Sequence, residues 1–255
     1  MHWGVLEYTF QYIGAIYRTD MVRQMRGREQ DMDHGTRGEL LSRLAEAVKS
    51  VAIAHPTRVA IDGVPGAGKT TLADELAVVL RAQGREVIRA TIEDFLAPRS
   101  VRHPWGDSAE GWYNHSTDLG ALHRVLLDPL GLDGDRRIQR AVYDKATDIA
   151  VSPPVTTAAI DAVLLFDGVF LLREELFDRW DLRIFVSATF EKALDRSRIR
   201  DRTPLMSADE VEQRYRRRYL PSQQFYFEAA RPTEHADIIV YNDEPRRPRW
   251  EARTF

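Results

Sequence analysis

The chain has 255 residues, enough for one of the larger single α/β domains, and its 44% apolar and 29% charged content is that of an ordinary globular protein. With 36 Lys and Arg against 39 Asp and Glu, the formal net charge is −3, so no overall basic field argues for nucleic-acid binding. It has no cysteine, which excludes disulfides, thiolate metal sites and a cysteine nucleophile, and no apolar run of about eighteen residues that would span a membrane; the expected setting is cytoplasmic.

Met1–Tyr17 is apolar and aromatic in patches, but Glu7 interrupts it and no basic segment leads it, so it does not read as a secretory signal. Residues 1–37 read as a poorly ordered N-terminal arm, with Met21, Met25 and Met32 as alternative starts. From Gly38 to Ala54, the spacing of Leu40, Leu41, Leu44, Ala47, Val48 and Val51 predicts a helix starting near Thr36 or Arg37. Thr57–Asp62 predicts a buried strand ending at Gly63. Lys69–Arg81 predicts a helix stopped at Gln83-Gly84, and Glu86–Ile92 a second strand followed by Glu93, Asp94 and Phe95. Residues 97–117, rich in Pro, Gly, Trp, Asn and His, read as an irregular loop.

Asp118–Leu130 predicts a helix capped by Asp118, and Arg137–Tyr143 with Thr147–Val155 a small hairpin. Ala162–Asp167, Leu182–Val186 and Asp237–Tyr241 predict strands, with helices over Phe190–Arg202 and Asp209–Glu228 between the last two. Residues 246–255 read as a polar tail. Strands alternating with helices imply a mostly parallel sheet with ligands at the strands' C-terminal ends. One domain is expected over residues 38–245.

Gly63-Val64-Pro65-Gly66-Ala67-Gly68-Lys69-Thr70 fits G-x-x-x-x-G-K-[ST]. Such a loop turns backbone N–H groups around an anion, with glycines where a Cβ would clash, and the next helix points its positive end at the same anion. Lys69 can reach the β- and γ-phosphates of ATP, the Thr70 hydroxyl can ligate Mg²⁺, and Thr71 follows in the same first turn. Asp167, closing an apolar strand, is by itself a turn residue; downstream of a phosphate loop it becomes a candidate for the Mg²⁺ side. Glu93 and Asp94 end the second strand, where a carboxylate can take the proton of an attacking hydroxyl or merely cap a helix. Arg196 and Arg200 share a helix face suited to clamping phosphates, and Arg198 and Arg202 the opposite face, suited to surface ion pairs.

The stretches AIDGVPGAGKTTLADELA, IEDFLAPR, AVYD, VLLFDGVF, RSRIRDR and RPTEHADIIV, over residues 57–243, resemble the uridine kinase family and its relatives, pantothenate kinase and phosphoribulokinase. The resemblance implies a P-loop NTPase fold, a three-layer α/β/α sandwich with a mostly parallel five-stranded sheet and a helical lid over about 196–220. It implies Lys69 and Thr70 on phosphate and Mg²⁺, Asp167 at the Mg²⁺-side acidic position, Tyr143 and Asp144 near the acceptor, and Arg200 as a lid arginine. In the loop that would face the acceptor, Tyr113 can stack on a base and His115 or Asp118 can hold ribose hydroxyls, or these residues pack the loop onto the domain.

Three departures touch the acceptor side and the lid. Counting back from Phe95 puts Glu93 at the family's base position with Asp94 beside it, and the family's shorter carboxylate favours Asp94; Asp148 stands where a His is common; and Thr203-Pro204-Leu205 replaces an Arg-Gly pair. The expected activity is transfer of the γ-phosphoryl group of ATP to a small-molecule hydroxyl, of a nucleoside first, with pantothenate, a sugar phosphate, or nucleotide-dependent regulation without transfer as alternatives. No nucleic-acid or membrane partner is expected, and a homo-oligomer is left open.

Overall fold

The computed structural model describes residues 32–106, 108–201 and 207–253. Residues 1–31 of the expected arm, and Arg202 with Thr203-Pro204-Leu205 of the expected lid, lie outside the described residues. Residues 1–34 form a unit of their own, of which Met32–His34 is described, with Asp33–His34 extended. Gly35–Phe255 forms the second unit.

Thr36 starts helix α1 (Arg37–Ser50) by a reciprocal cap: its hydroxyl accepts from Glu39 N at 3.3 Å, and Glu39 Oε2 accepts from Thr36 N at 2.7 Å. The helix ends four residues before the expected Ala54, where Val51 turns extended ahead of Pro56. Strands β1 (Thr57–Gly63), β2 (Val87–Thr91), β3 (Val163–Asp167), β4 (Leu182–Ser187) and β5 (Ile238–Tyr241) run parallel in the order β2-β3-β1-β4-β5. Side chains alternate across the sheet. Val59, Ile61, Val163, Leu165, Ile184 and Val186 enter one core with α1 and α2 (Lys69–Ala82), whereas Ala60, Leu164, Phe166 and Phe185 enter the core on the other face. Both faces are covered, so the strands read as continuous apolar runs, and the result is the expected three-layer α/β/α sandwich.

Further details differ from the sequence reading, among them the helix expected over 118–130, which is α-helical only at Leu119–Leu122 before a π-type turn at His123–Leu127. The segment read as irregular contains helix α3 (Ala109–His115), capped by Ser108 Oγ accepting from Gly111 N at 3.1 Å. After α4 (Phe190–Arg200), the single helix expected over 209–228 is α5 (Ala208–Arg214), a wide π-type turn at Tyr215–Tyr219, and α6 (Leu220–Ala230). Pro221 explains the turn, because it cannot donate to the carbonyl four residues back and its ring crowds that carbonyl. The expected hairpin is two nested antiparallel pairs, Tyr143↔Ala150 with Asp144↔Ile149 and Arg137↔Thr157 with Ile138↔Thr156. Within the residues read as a polar tail, β6 (Arg249–Ala252) pairs antiparallel with β5 and buries Trp250 against the first core.

The register sets the site. Asp167 lies opposite Ile61 on one side and Thr91 on the other, so the ends of β1, β2 and β3 converge beside the loop that opens at Gly63.

Candidate active site

The loop from Gly63 to Thr70 is shaped by side chains that hold its carbonyls from outside. Val64 O accepts Lys69 Nζ at 2.9 Å, and Pro65 O accepts the Tyr215 hydroxyl at 3.0 Å. Arg196 reaches Gly66 O and Ala67 O at 3.5 and 3.4 Å, and Asn242 Nδ2 reaches Ala67 O at 2.6 Å. Gly66 has φ +82°, and a Cβ there would lie 2.2 Å from Ala193 O, so the backbone of α4 can approach only a glycine. Helix α2 follows Gly68 with no side-chain cap, which leaves its first amides and positive end for an anion.

Lys69 lies beside two acids. Burial pulls its ammonium down to about 8, opposed by the charges of Asp62 and Asp167 and assisted by that of Arg200. The Thr70 hydroxyl donates to Asp167 Oδ2 at 2.6 Å, while Arg89 holds Asp167 Oδ1 at 2.8 Å. One hydroxyl and one carboxylate oxygen are the hard donors a Mg²⁺ ion takes when phosphates and water complete its shell. Among the described residues there is no group of three or more His, Asp or Glu that could hold a metal ion.

Asp62, at the end of β1, has no solvent exposure. It accepts from Gly63 N at 2.6 Å, from Leu172 N at 3.3 Å and from the Tyr226 hydroxyl. Burial pushes its carboxyl up against the pull of those donors.

Beyond the end of β2 an open pocket of about 750 Å³ is lined by Thr91, Glu93, Asp94, Tyr143, Asp144 and Lys145, among others. The half-buried Asp94 carboxyl is raised, first by desolvation and less by the nearby Glu93 and Asp167 charges, while Glu93 is exposed and paired with Lys145 at 2.9 Å. The structure therefore brings Lys69, Thr70, Asp167, Glu93, Asp94, Tyr143 and Asp144 to the same strand ends. Tyr143 donates its hydroxyl to Asp148 and accepts from Arg102 at 3.0 Å; Asp144 turns back to its own turn, accepting from Ala146 N at 2.8 Å. Thr71 sits exposed in the first turn of α2.

The remaining expected site residues sit elsewhere. Tyr113 is buried against Phe170, Tyr226 and the Arg173 guanidinium, His115 stacks on Trp105 with ring centres 3.9 Å apart, and the Asp118 carboxylate caps Ala121 N at 2.8 Å. None of the three lines the pocket. Arg196 approaches the loop from its carbonyl side and also donates to Asn242 O and Asp243 O at 2.8 and 2.9 Å. Arg200 is bonded to Asp201, and its charge bears on both Lys69 and Glu93. Arg198 makes the ion pairs expected of its face, with Asp195 and Glu212. Sequence reasoning missed Asp62, Arg89, Tyr215, Tyr226 and Asn242; the available signal was a charged or amide residue at the end of a buried strand, at Asp62 and Asn242.

A phosphate loop at a strand–helix junction, with a hydroxyl–carboxylate pair at the neighbouring strand end, defines a P-loop kinase fold. The family model described as cytidylate kinase-like matches residues 58–244, and the chain belongs to that family. It is 28% identical over 132 residues to the thymidylate kinase of Rhodopirellula baltica, covering 51% of this chain and 45% of that protein, so it spans less than half the length of that relative. It is 22% identical over 147 residues to the uridine kinase of Ureaplasma urealyticum serovar 10, covering 57% of this chain and 69% of that protein. The fold is similar to the structure of a possible uridine kinase from Bacillus stearothermophilus, with TM-score 0.61 and 23% identity over 78% of this chain and 96% of that one. The family and fold expected from the motifs are borne out. No described helix is long and apolar enough to cross a membrane.

Proposed function

We propose that the chain transfers the γ-phosphoryl group of ATP to the hydroxyl of a small molecule, with a nucleoside as the favoured acceptor. The observation that carries the reading is the juxtaposition of a loop whose Pro65 and Ala67 carbonyls are held by Tyr215 and Asn242, the Lys69 ammonium, and a half-buried Asp94 beside an open pocket. In this reading the amides of Gly66, Gly68, Lys69, Thr70 and Thr71 take the triphosphate oxygens, and Lys69 swings from Val64 O onto the β- and γ-phosphates. Thr70 and Asp167 would hold Mg²⁺, which would supply charge neutralisation on the transferring group. Asp94 orients the acceptor hydroxyl and takes its proton; its carboxyl, raised by burial, is a better base than an ordinary aspartate. Glu93, tied to Lys145, lies at the pocket rim, and Arg200 completes the cation set around the phosphates.

Beside the pocket Lys145 pairs with Glu93, and Arg102 is engaged by Tyr143 and by Ala97 O at 2.6 Å, while the exposed Arg99, whose amide donates to Asp148 at 3.2 Å, is the cation a phosphorylated acceptor would use. The relative that carries the name uridine kinase supports a nucleoside acceptor, whereas thymidylate and cytidylate, in the names of the other relative and of the family model, are nucleoside monophosphates. The test is ADP release with magnesium–ATP across uridine, cytidine, thymidine, pantothenate, glycerate and sugar phosphates. Turnover with a nucleoside at a kcat/KM well above the rest is expected. Preference for a phosphorylated acceptor would overturn the acceptor assignment, and tight ATP binding with no turnover on any alcohol would point to a regulatory protein.

A further inference from the structure

Two hydroxyls on one helical rod reach the phosphate loop and the strand end that leads into it, Tyr215 from the first core and Tyr226 from the core on the other face of the sheet. Residues 208–230 run through α5, the π-type turn and α6; Tyr215 opens the turn and Tyr226 lies within α6. Tyr215 is 3% exposed and Tyr226 fully buried. The Tyr215 hydroxyl donates to Pro65 O, inside the loop. The Tyr226 hydroxyl donates to Asp62, whose other oxygen takes the amide of Gly63, the loop's first residue, and the same hydroxyl accepts from Leu172 N at 3.0 Å. The rings need no hydroxyl for packing: Tyr215 rests edge-on against Phe190 and Tyr219, and Tyr226 against Phe170 and Phe227. Phenylalanine would fill both places, so the hydroxyls are there for their polar partners.

We infer that Tyr215 and Tyr226 are positioning residues for nucleotide binding, a pair of fasteners that hold the start of the loop in its phosphate-gripping shape before any phosphate arrives. The inference rests on the kinase reading above. Neither residue lines the acceptor pocket, so the effect is confined to the nucleotide. A loop whose first turn is already fixed needs less ordering on binding, and loosening it weakens every phosphate contact made by the amides that follow.

The test uses the full chain. Calorimetry of Tyr215→Phe with magnesium–ATP and magnesium–ADP, without acceptor, is expected to show Kd raised about fivefold for both, the scale of one lost hydrogen bond. The acceptor KM and the kcat at saturating nucleotide stay at wild-type values, a split that general loosening of the fold would not give. Tyr226→Phe strips a donor from a buried carboxylate but leaves Asp62 Oδ2 as acceptor for Leu172 N; shown folded by circular dichroism, it is expected to bind nucleotide about five- to tenfold more weakly. A folded Tyr215→Phe protein with unchanged nucleotide Kd overturns the inference, as does a parallel rise in nucleotide and acceptor KM. Failure of the wild-type chain itself to bind magnesium–ATP would instead remove the kinase reading, and the fasteners with it.

Discussion

Lys69 offers a quantitative test, because the fold sets its charge against the ligand's. In the free protein burial holds the ammonium down to about 8, so it is mostly charged at pH 7 and mostly neutral at pH 9. A bound triphosphate restores the charged form, bringing the group back toward the ordinary lysine value of about 10.4. The sign follows: affinity that depends on the ammonium is fully present below pH 8 and is lost as pH rises through 8, up to the value in the complex. With those two limits the loss between pH 7 and pH 9 is about tenfold in Kd, or about 1.4 kcal/mol. Phosphate groups are ionised throughout that range, so their own titration does not add to it. Calorimetric titration of magnesium–ATP at pH 7, 8 and 9, with proton uptake measured from buffers of different ionisation enthalpy, reads both the slope and its source. Lys69→Met is expected to bind more weakly at pH 7 and to show no slope. A flat wild-type profile, or the same slope in Lys69→Met, would refute the assignment of the ammonium to the phosphates.

Three further predictions concern the acids and the frame. Asp94→Asn is expected to lower kcat about a hundredfold or more with little change in nucleotide KM, while Glu93→Gln, whose carboxylate is exposed and paired with Lys145, costs less than about tenfold; equal losses would refute the division of roles. Because burial raises Asp94, activity is present above its ionisation and lost as pH falls through it, so the acid limb of kcat/KM should lie above the usual aspartate range and vanish in Asp94→Asn. Arg58 and Asp181 form a two-pronged ion pair with both partners largely buried, with contacts of 3.1 and 3.0 Å. Arg58→Ala leaves the acid without its main partner and should cost about 3 kcal/mol in urea unfolding.

The parts of this molecule legible in the sequence are those whose signal is local. The parallel strands announce themselves as apolar runs because helices cover both faces, and the phosphate loop because its glycines are required by backbone approach at Gly63 and Gly66. What escaped notice depends on partners far along the chain. Asp62 reads as the polar end of a strand until Tyr226, 164 residues later, is seen donating to it. Tyr215 and Asn242 look like an ordinary helix tyrosine and a turn asparagine until their loop carbonyls, 150 and 175 residues away, are located. Helix α3 was hidden by its Gly and Trp content, and β6 by its charges, since a short charged strand is recognised by pairing rather than by composition.

The pairing of β6 with β5 has a practical corollary for anyone handling this protein. Trimming the chain at about residue 246 would strip the outer flank of β5 of its hydrogen-bonded neighbour and uncover the Trp250 seat. Four residues of bare strand backbone beside an apolar hollow are an invitation to self-association, so shortened versions should be handled as sticky material, with solubility tags kept on whichever end leaves that ribbon intact.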